Sequence, residues 1–282
     1  MSASGTGASK RTFNGAGTGQ GKRQGERVAI SAFPDETLRF AALTARAYGT
    51  LAARHDADAE LGLGGKLFYA GELDGTGRAL LVAANIAGAA TLAVTADREA
   101  QKQAIRDGVA DFVVTSLDEA LRIVKNQLRK REPVAVCAAL ERAAAEREMS
   151  ERGVAPDLAR DGLPTGTDWA MRAVEGDGNA PAPEDAATLV VWRAETARPR
   201  DLAALDETAL DCAGANDWAA RRWLRLAPRY VGRMAEGAHW AEMRGAAATR
   251  FFQQARARAE RGEIGSGCEI GAYAYGAESK RG

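Results

Sequence analysis

From Lys66 onward the chain alternates between short apolar runs and longer stretches with helical spacing. Lys66–Ala70 is a short apolar run, Gly77–Ala87 is a helical stretch closed by Gly88, and Thr91–Ala96 is a second run. Arg98–Asp107 reads as a helix stopped by Gly108, followed by a third run at Asp111–Thr115. A helix over Leu117–Arg131, a fourth strand over Pro133–Ala138 and a helix over Leu140–Arg152 complete the series. Apolar runs of this length bounded by glycine predict buried strands, and the longer stretches between them predict helices. Strands joined by helices of this length need crossover connections, so the pattern predicts a mainly parallel sheet.

The helix after Ser116 is specified most completely. Leu117, Ala120, Leu121, Val124 and Leu128 form one apolar stripe. Ser116 and Glu119 have capping-box spacing, while Lys125, Arg129, Lys130 and Arg131 put positive charge at the end of the helix where the dipole favours it.

Farther on, Gly162–Pro183 holds no sustained period; Thr188–Trp192 resumes as a strand, and helices are predicted over Asp217–Glu236 and His239–Arg261. The expected organisation is a flexible Gly-rich tail (1–26), a parallel-sheet domain (27–161), a linker (162–187), a strand with a helical C-terminal segment (188–262) and a second flexible tail (263–282).

Composition narrows the function class. Lys+Arg and Asp+Glu each total 38, a formal net charge of +0, which lacks the global field of a nucleic-acid binder. With 46% hydrophobic but only 6% aromatic residues, the 282-residue chain suits helices packed on a sheet, an α/β fold. Cys137, Cys212 and Cys268 are odd in number and far apart, which predicts free thiols and a reducing compartment. No run approaches the roughly 18 apolar residues of a membrane span, and the N-terminus lacks a basic and apolar leader. The expectation is a cytoplasmic protein without membrane or nucleic-acid partners, with self-association left open.

Phosphates bind where a strand turns through glycines into a helix N-terminus, because unpaired N–H groups and the helix dipole both favour an anion there. Tyr69–Arg78 occupies such a place, with Gly71, Gly75 and Gly77 in the turn and Asp97 about twenty residues on, at the distance of a ribose-binding acid. The bland alternative is equally concrete: the glycines let the helix pack on the sheet, and Asp97 caps the helix from Arg98. Glu72 and Asp74 oppose a diphosphate in the turn by charge. A second phosphate-loop-like run, Gly15–Lys22, lacks the first glycine, the Ser/Thr and a preceding strand.

Gly64–Gly71, Ala83–Asp97, Thr115–Leu121 and Glu151–Leu158 together resemble the NAD-binding domain of the urocanase family, and Trp192–Ala227 resembles that family's C-terminal strand and following helix. The resemblance implies a Rossmann-like sheet and bound NAD acting as an electrophile on urocanate, with Gly71, Gly75, Gly77, Thr95, Asp97 and Ser116 as the cofactor-binding candidates. Thr95 stands at the family's acidic ribose position, and Glu72, Asp74 and Arg78 replace glycines or apolar residues. The family's substrate-contacting insert is missing where Pro156–Asp161 runs directly into Gly162–Pro164, and its Tyr-Gly-Asn-Asn and catalytic Asp/His segments have no counterpart. The expectation is a shortened, non-catalytic homologue retaining a nucleotide-binding unit, with an active hydratase or a structural protein as alternatives.

Other chemistry has little support. His55 sits in a polar run, and His239 is expected at the head of a helix beside Trp240; no metal-ligand spacing or nucleophile motif accompanies them. Trp218, Trp223 and Trp240 are expected in a packing seam between the C-terminal helices and the sheet. Arg221, Arg222, Arg225, Arg229 and Arg233 give that segment a basic face.

Overall fold

The computed structural model describes residues 29–30, 33–54, 60–161, 163, 171–173, 186–194, 199–231, 237–265 and 267–275. The expected 1–26 tail, the Gly15–Lys22 run, His55 and Arg233 lie outside them. The elements are β1 (Ala29–Ile30), α1 (Asp35–Ala52), β2 (Leu67–Glu72), α2 (Gly75–Ala87), β3 (Ala90–Val94), α3 (Arg98–Arg106), β4 (Phe112–Val114), α4 (Leu117–Lys130) and β5 (Val134–Ala138). They continue with α5 (Arg142–Glu151), β6 (Leu158–Ala159), β7 (Met171–Ala173), β8 (Ala187–Ala194), α6 (Pro199–Cys212), α7 (Trp218–Val231), β9 (His239–Arg244), α8 (Gly245–Glu260) and β10 (Cys268–Tyr275).

The first sheet is parallel throughout, in the order β4-β5-β3-β2-β6. Alternate residues of each strand face opposite helix layers, as the period of two requires. Leu67, Tyr69, Leu92, Val94 and Val136 pack with Leu117, Leu121 and Val124 of α4 and with Ala145 and Met149 of α5. Phe68, Ala70, Ala93, Ala135 and Cys137 belong to the other core, with α2 and with Ala104 of α3. The α/β class and the mainly parallel sheet follow the sequence pattern closely. In α4 the Ser116 hydroxyl accepts from Glu119 N at 3.3 Å, and Arg131 closes the helix in the left-handed region at φ 58°.

The second sheet departs from expectation. β10 runs between β8 on one side and both β1 and β7 on the other, and β9 is the outer strand beyond β8. The helix expected over His239–Arg261 is a strand for its first six residues and a helix only from Gly245. Trp240 pairs with Val191 and His239 with Trp192 in the antiparallel register, and those cross-strand neighbours outweigh local helical spacing. The flexible tail expected over 263–282 is likewise wrong where it is described. Cys268 and Ile270 are buried on one face of this central strand and Tyr273 on the other, with glycine and alanine between them leaving no clear period of two in the sequence. Met171–Ala173, inside the expected linker, adds a short strand to β10.

Helices α1, α2 and α7 fill the space between the two sheets, with α1 packed along α2 and both α1 and α7 against β9. Trp240 meets Phe40 of α1 edge-on, and its carbonyl accepts the Trp223 indole N–H of α7. On the far side of the second sheet, Trp192 packs on Phe251 of α8. Trp223 and Trp240 thus form the expected seam, and Trp218 packs partly buried against the same core. Among the described residues no helix is long and apolar enough to cross a membrane.

Candidate functional site at the carboxyl end of the parallel sheet

In open α/β sheets ligands bind beyond the carboxyl ends of strands, at the place where successive helices turn to opposite faces. β3 and β5 are neighbours; β3 leads to α3 on one face and β5 to α5 on the other. The turn after β2 opens beside this place, so Gly71, Gly75, Gly77, Thr95 and Asp97 gather at the ends of two adjacent strands. Ser116 follows the outer strand β4, with β5 between it and that group.

The glycines of the turn differ sharply in what they do. Gly77 lets the first turn of α2 approach the end of β2: a Cβ there would lie 1.9 Å from the Glu72 carbonyl oxygen. Gly75 has no atom within 4 Å of such a Cβ. Gly71 adopts φ +71°, a conformation that favours glycine, at a register shift against β3, and the Arg142 guanidinium lies beside it. The close approach at Gly77 is therefore to the protein's own backbone.

The helix N-terminus at this turn is filled by the chain itself. Asp74 is the N-cap of α2, and its Oδ1 accepts from Gly77 N at 2.6 Å. Arg160, arriving just after β6, donates Nη1 and Nη2 to the same carboxylate at 3.2 and 3.3 Å. Negative charge at a helix N-terminus is favourable, and here the carboxylate supplies what an anionic ligand otherwise would. Arg78, next in α2, turns away to pair with Asp107 at the end of α3.

Thr95 is buried; its N–H donates to the Ala138 carbonyl, joining β3 to β5, and its hydroxyl accepts from Asp97 N at 3.3 Å. Asp97 is exposed and accepts from Glu99 N at 2.8 Å, so it caps α3 as the bland alternative proposed. Ser116 caps α4 in the same way. Each of the three polar candidates thus has a structural task at a helix start or between strands.

Several residues of the site carry no local motif. Arg142 donates to Glu146 at 2.7 Å, and the Tyr69 hydroxyl reaches the same carboxylate at 3.4 Å. Burial, reinforced by Glu146, pushes the Tyr69 phenol far above its usual range, so it stays protonated. Asp74 was readable as an Asp at an N-cap position, but Arg160 lies 86 residues away and only the fold brings it there. Burial, and then Glu72, push the Cys137 thiol up to about 11. A neutral buried thiol is a poor nucleophile. Iodoacetamide at pH 8 is expected to leave Cys137 unmodified in the folded protein and to alkylate it in denaturant, as read by peptide mass; rapid native labelling would contradict this environment.

His239 lies elsewhere, on β9 and not at a helix head. Its Nδ1 is 2.8 Å from Asp206 Oδ1, which also accepts the Trp192 indole N–H at 2.9 Å. Among the described residues no group of three His, Cys, Asp or Glu side chains is placed to hold a metal.

Residues 45–167, which include the Gly-rich turn and all five strands of the parallel sheet, match the family model described as the urocanase Rossmann-like domain. Over these residues the chain is similar to the urocanase family. The match leaves out strands β7 to β10 and helices α6 to α8. The urocanase resemblance implies NAD, and the turn tests that implication directly. A diphosphate at α2 would have to displace a carboxylate already seated on the Gly77 amide and tied to Arg160. In this arrangement the residues present do not fit the diphosphate of NAD.

Proposed function

We propose that this protein is a non-catalytic member of the urocanase family, in which the Rossmann-like domain serves as a folded scaffold and not as the cofactor site of a hydratase. The observation that carries this reading is the Asp74 carboxylate on Gly77 N, clamped by Arg160. It supplies the anion that α2 favours from within the chain, so the helix N-terminus offers a dinucleotide no vacant partner. The short run from Pro156 to Pro164, without the family's substrate-contacting insert, supports the same reading.

A second reading keeps the dinucleotide: the Asp74–Arg160 pair opens, and Arg142 and Arg160, both at the mouth of the turn, go over to phosphate. It is favoured by the partial exposure of that pair, 48% for the Asp74 side chain, which leaves it accessible to water and salt. One experiment separates the two. The melting temperature is measured with and without millimolar NAD, and loss of urocanate is followed by ultraviolet absorbance in the same mixtures. The expected result is no melting shift and no loss of urocanate. A shift of several degrees without turnover would establish the second reading, because a ligand that binds only the folded state raises its stability. A shift with turnover would overturn both.

A further inference from the structure

β9 is the outer strand of the second sheet, and a cleft of ≈ 710 Å³ lies along it, closed in by α1, α6, α7 and α8. Most of its lining comes after residue 167, outside the family match. Its volume falls within the range of roughly 300–1,000 Å³ typical of small-molecule sites. The cleft exists because the facing helices present alanine and glycine where larger side chains would fill the space, as at Ala213 and Gly214 of the α6–α7 connection and Ala220 of α7. Trp223, Leu224, Met243 and Tyr48 give it apolar walls.

Its charged groups are unequally engaged. Asp217 uses its carboxylate to cap α7, accepting from Ala220 N at 2.9 Å, and Glu242 accepts the Tyr275 hydroxyl at 3.0 Å. Arg244 and Arg250 are exposed and form no ion pair among the described residues. Arg250 donates Nη2 to the Cys212 carbonyl at 3.1 Å and keeps its other N–H groups, out of the five a guanidinium carries. The cleft thus combines an apolar interior with two cations whose bonding capacity is largely unspent. Cys212 at its wall stays protonated, its thiol pushed up by burial, so the cleft is furnished for binding and not for nucleophilic attack.

We propose that this cleft binds a small amphipathic carboxylic acid, its apolar body against Trp223, Leu224 and Met243 and its carboxylate at Arg244 and Arg250. Guanidinium and carboxylate match in geometry as well as charge, and the aromatic and aliphatic walls suit a ring or a short chain. The proposal stands apart from the state of the NAD turn.

The test uses the full chain and two acids, 2-naphthoate and octanoate, with 2-naphthamide as the uncharged counterpart, titrated by calorimetry and by quenching of tryptophan fluorescence. At least one acid is expected to bind saturably, one per chain, and the amide at least about 10-fold more weakly than naphthoate. Arg244→Ala, at a side chain with no bond among the described residues, should weaken the acid by about 10-fold with an unchanged melting temperature. Gly49→Leu places a side chain where a Cβ meets no atom within 4 Å, and should block binding while leaving the fold intact. Saturable binding of neither acid would overturn the proposal. So would equal affinity for naphthoate and its amide, or full binding by the folded Gly49→Leu protein.

Discussion

Gly77→Ala should destabilise this protein by about 3 kcal/mol, while Gly75→Ala, two residues earlier in the same turn, should stabilise it by about 0.5 kcal/mol. The Cβ added at Gly77 lies 1.9 Å from the Glu72 carbonyl oxygen, and that carbonyl cannot swing aside without moving the end of β2. Either α2 retreats from the sheet, loosening Leu80 and Leu81, which are fully buried, or the turn is strained. At Gly75 the new methyl meets nothing within 4 Å, the backbone is not left-handed, and alanine reduces the freedom of the unfolded chain. Urea unfolding of both variants with the parent checks this. Equal effects would mean that the turn holds its glycines for a reason other than the packing described. The contrast also makes Gly77 variants unsuitable as probes of ligand binding, since their first effect falls on the fold.

Trp223→Ala is the other large effect expected, about 3–5 kcal/mol. Trp223 is 3% exposed, packs on Tyr48 of α1 at 5.0 Å between ring centroids, and donates its indole N–H to the Trp240 carbonyl. Alanine would leave a cavity where α1, α7 and β9 meet and would strand a buried carbonyl. Trp223→Phe separates the two contributions, because it keeps much of the ring but not the donor. It should cost about 1–3 kcal/mol, the penalty of an unsatisfied buried acceptor plus a smaller void. If thermal and urea denaturation show phenylalanine to be as costly as alanine, the hydrogen bond and not the volume governs the seam.

The parallel sheet was legible in the sequence because each of its elements announces itself locally. Short apolar runs end in turns, Gly88 and Gly108 stop helices, and Ser116 with Glu119 begins one. The second sheet was not legible, because its strands depend on distant partners. His239–Arg244 flows without a break into α8, and Cys268–Tyr275 is diluted by small residues; both become strands only beside β8. The same distinction governs the candidate site. Gly71, Gly75, Gly77 and Asp97 were placed together from spacing, and Thr95 was added by the urocanase resemblance. Asp74, however, acquires its meaning from Arg160 and from the Gly77 amide, and no spacing rule connects residues 74 and 160.

The pairing of Ala29–Ile30 with Glu269–Ile270 has a consequence for biosynthesis. On the ribosome, β2 through β6 are complete more than a hundred residues before Cys268–Tyr275 is made, so the parallel sheet can form while the second sheet lacks its central strand. Until then β8 has β9 on one side and an open backbone edge on the other, the kind of edge that recruits neighbouring chains. Nascent chains stalled before residue 268 are therefore the form of this protein most prone to aggregate and most in need of a chaperone.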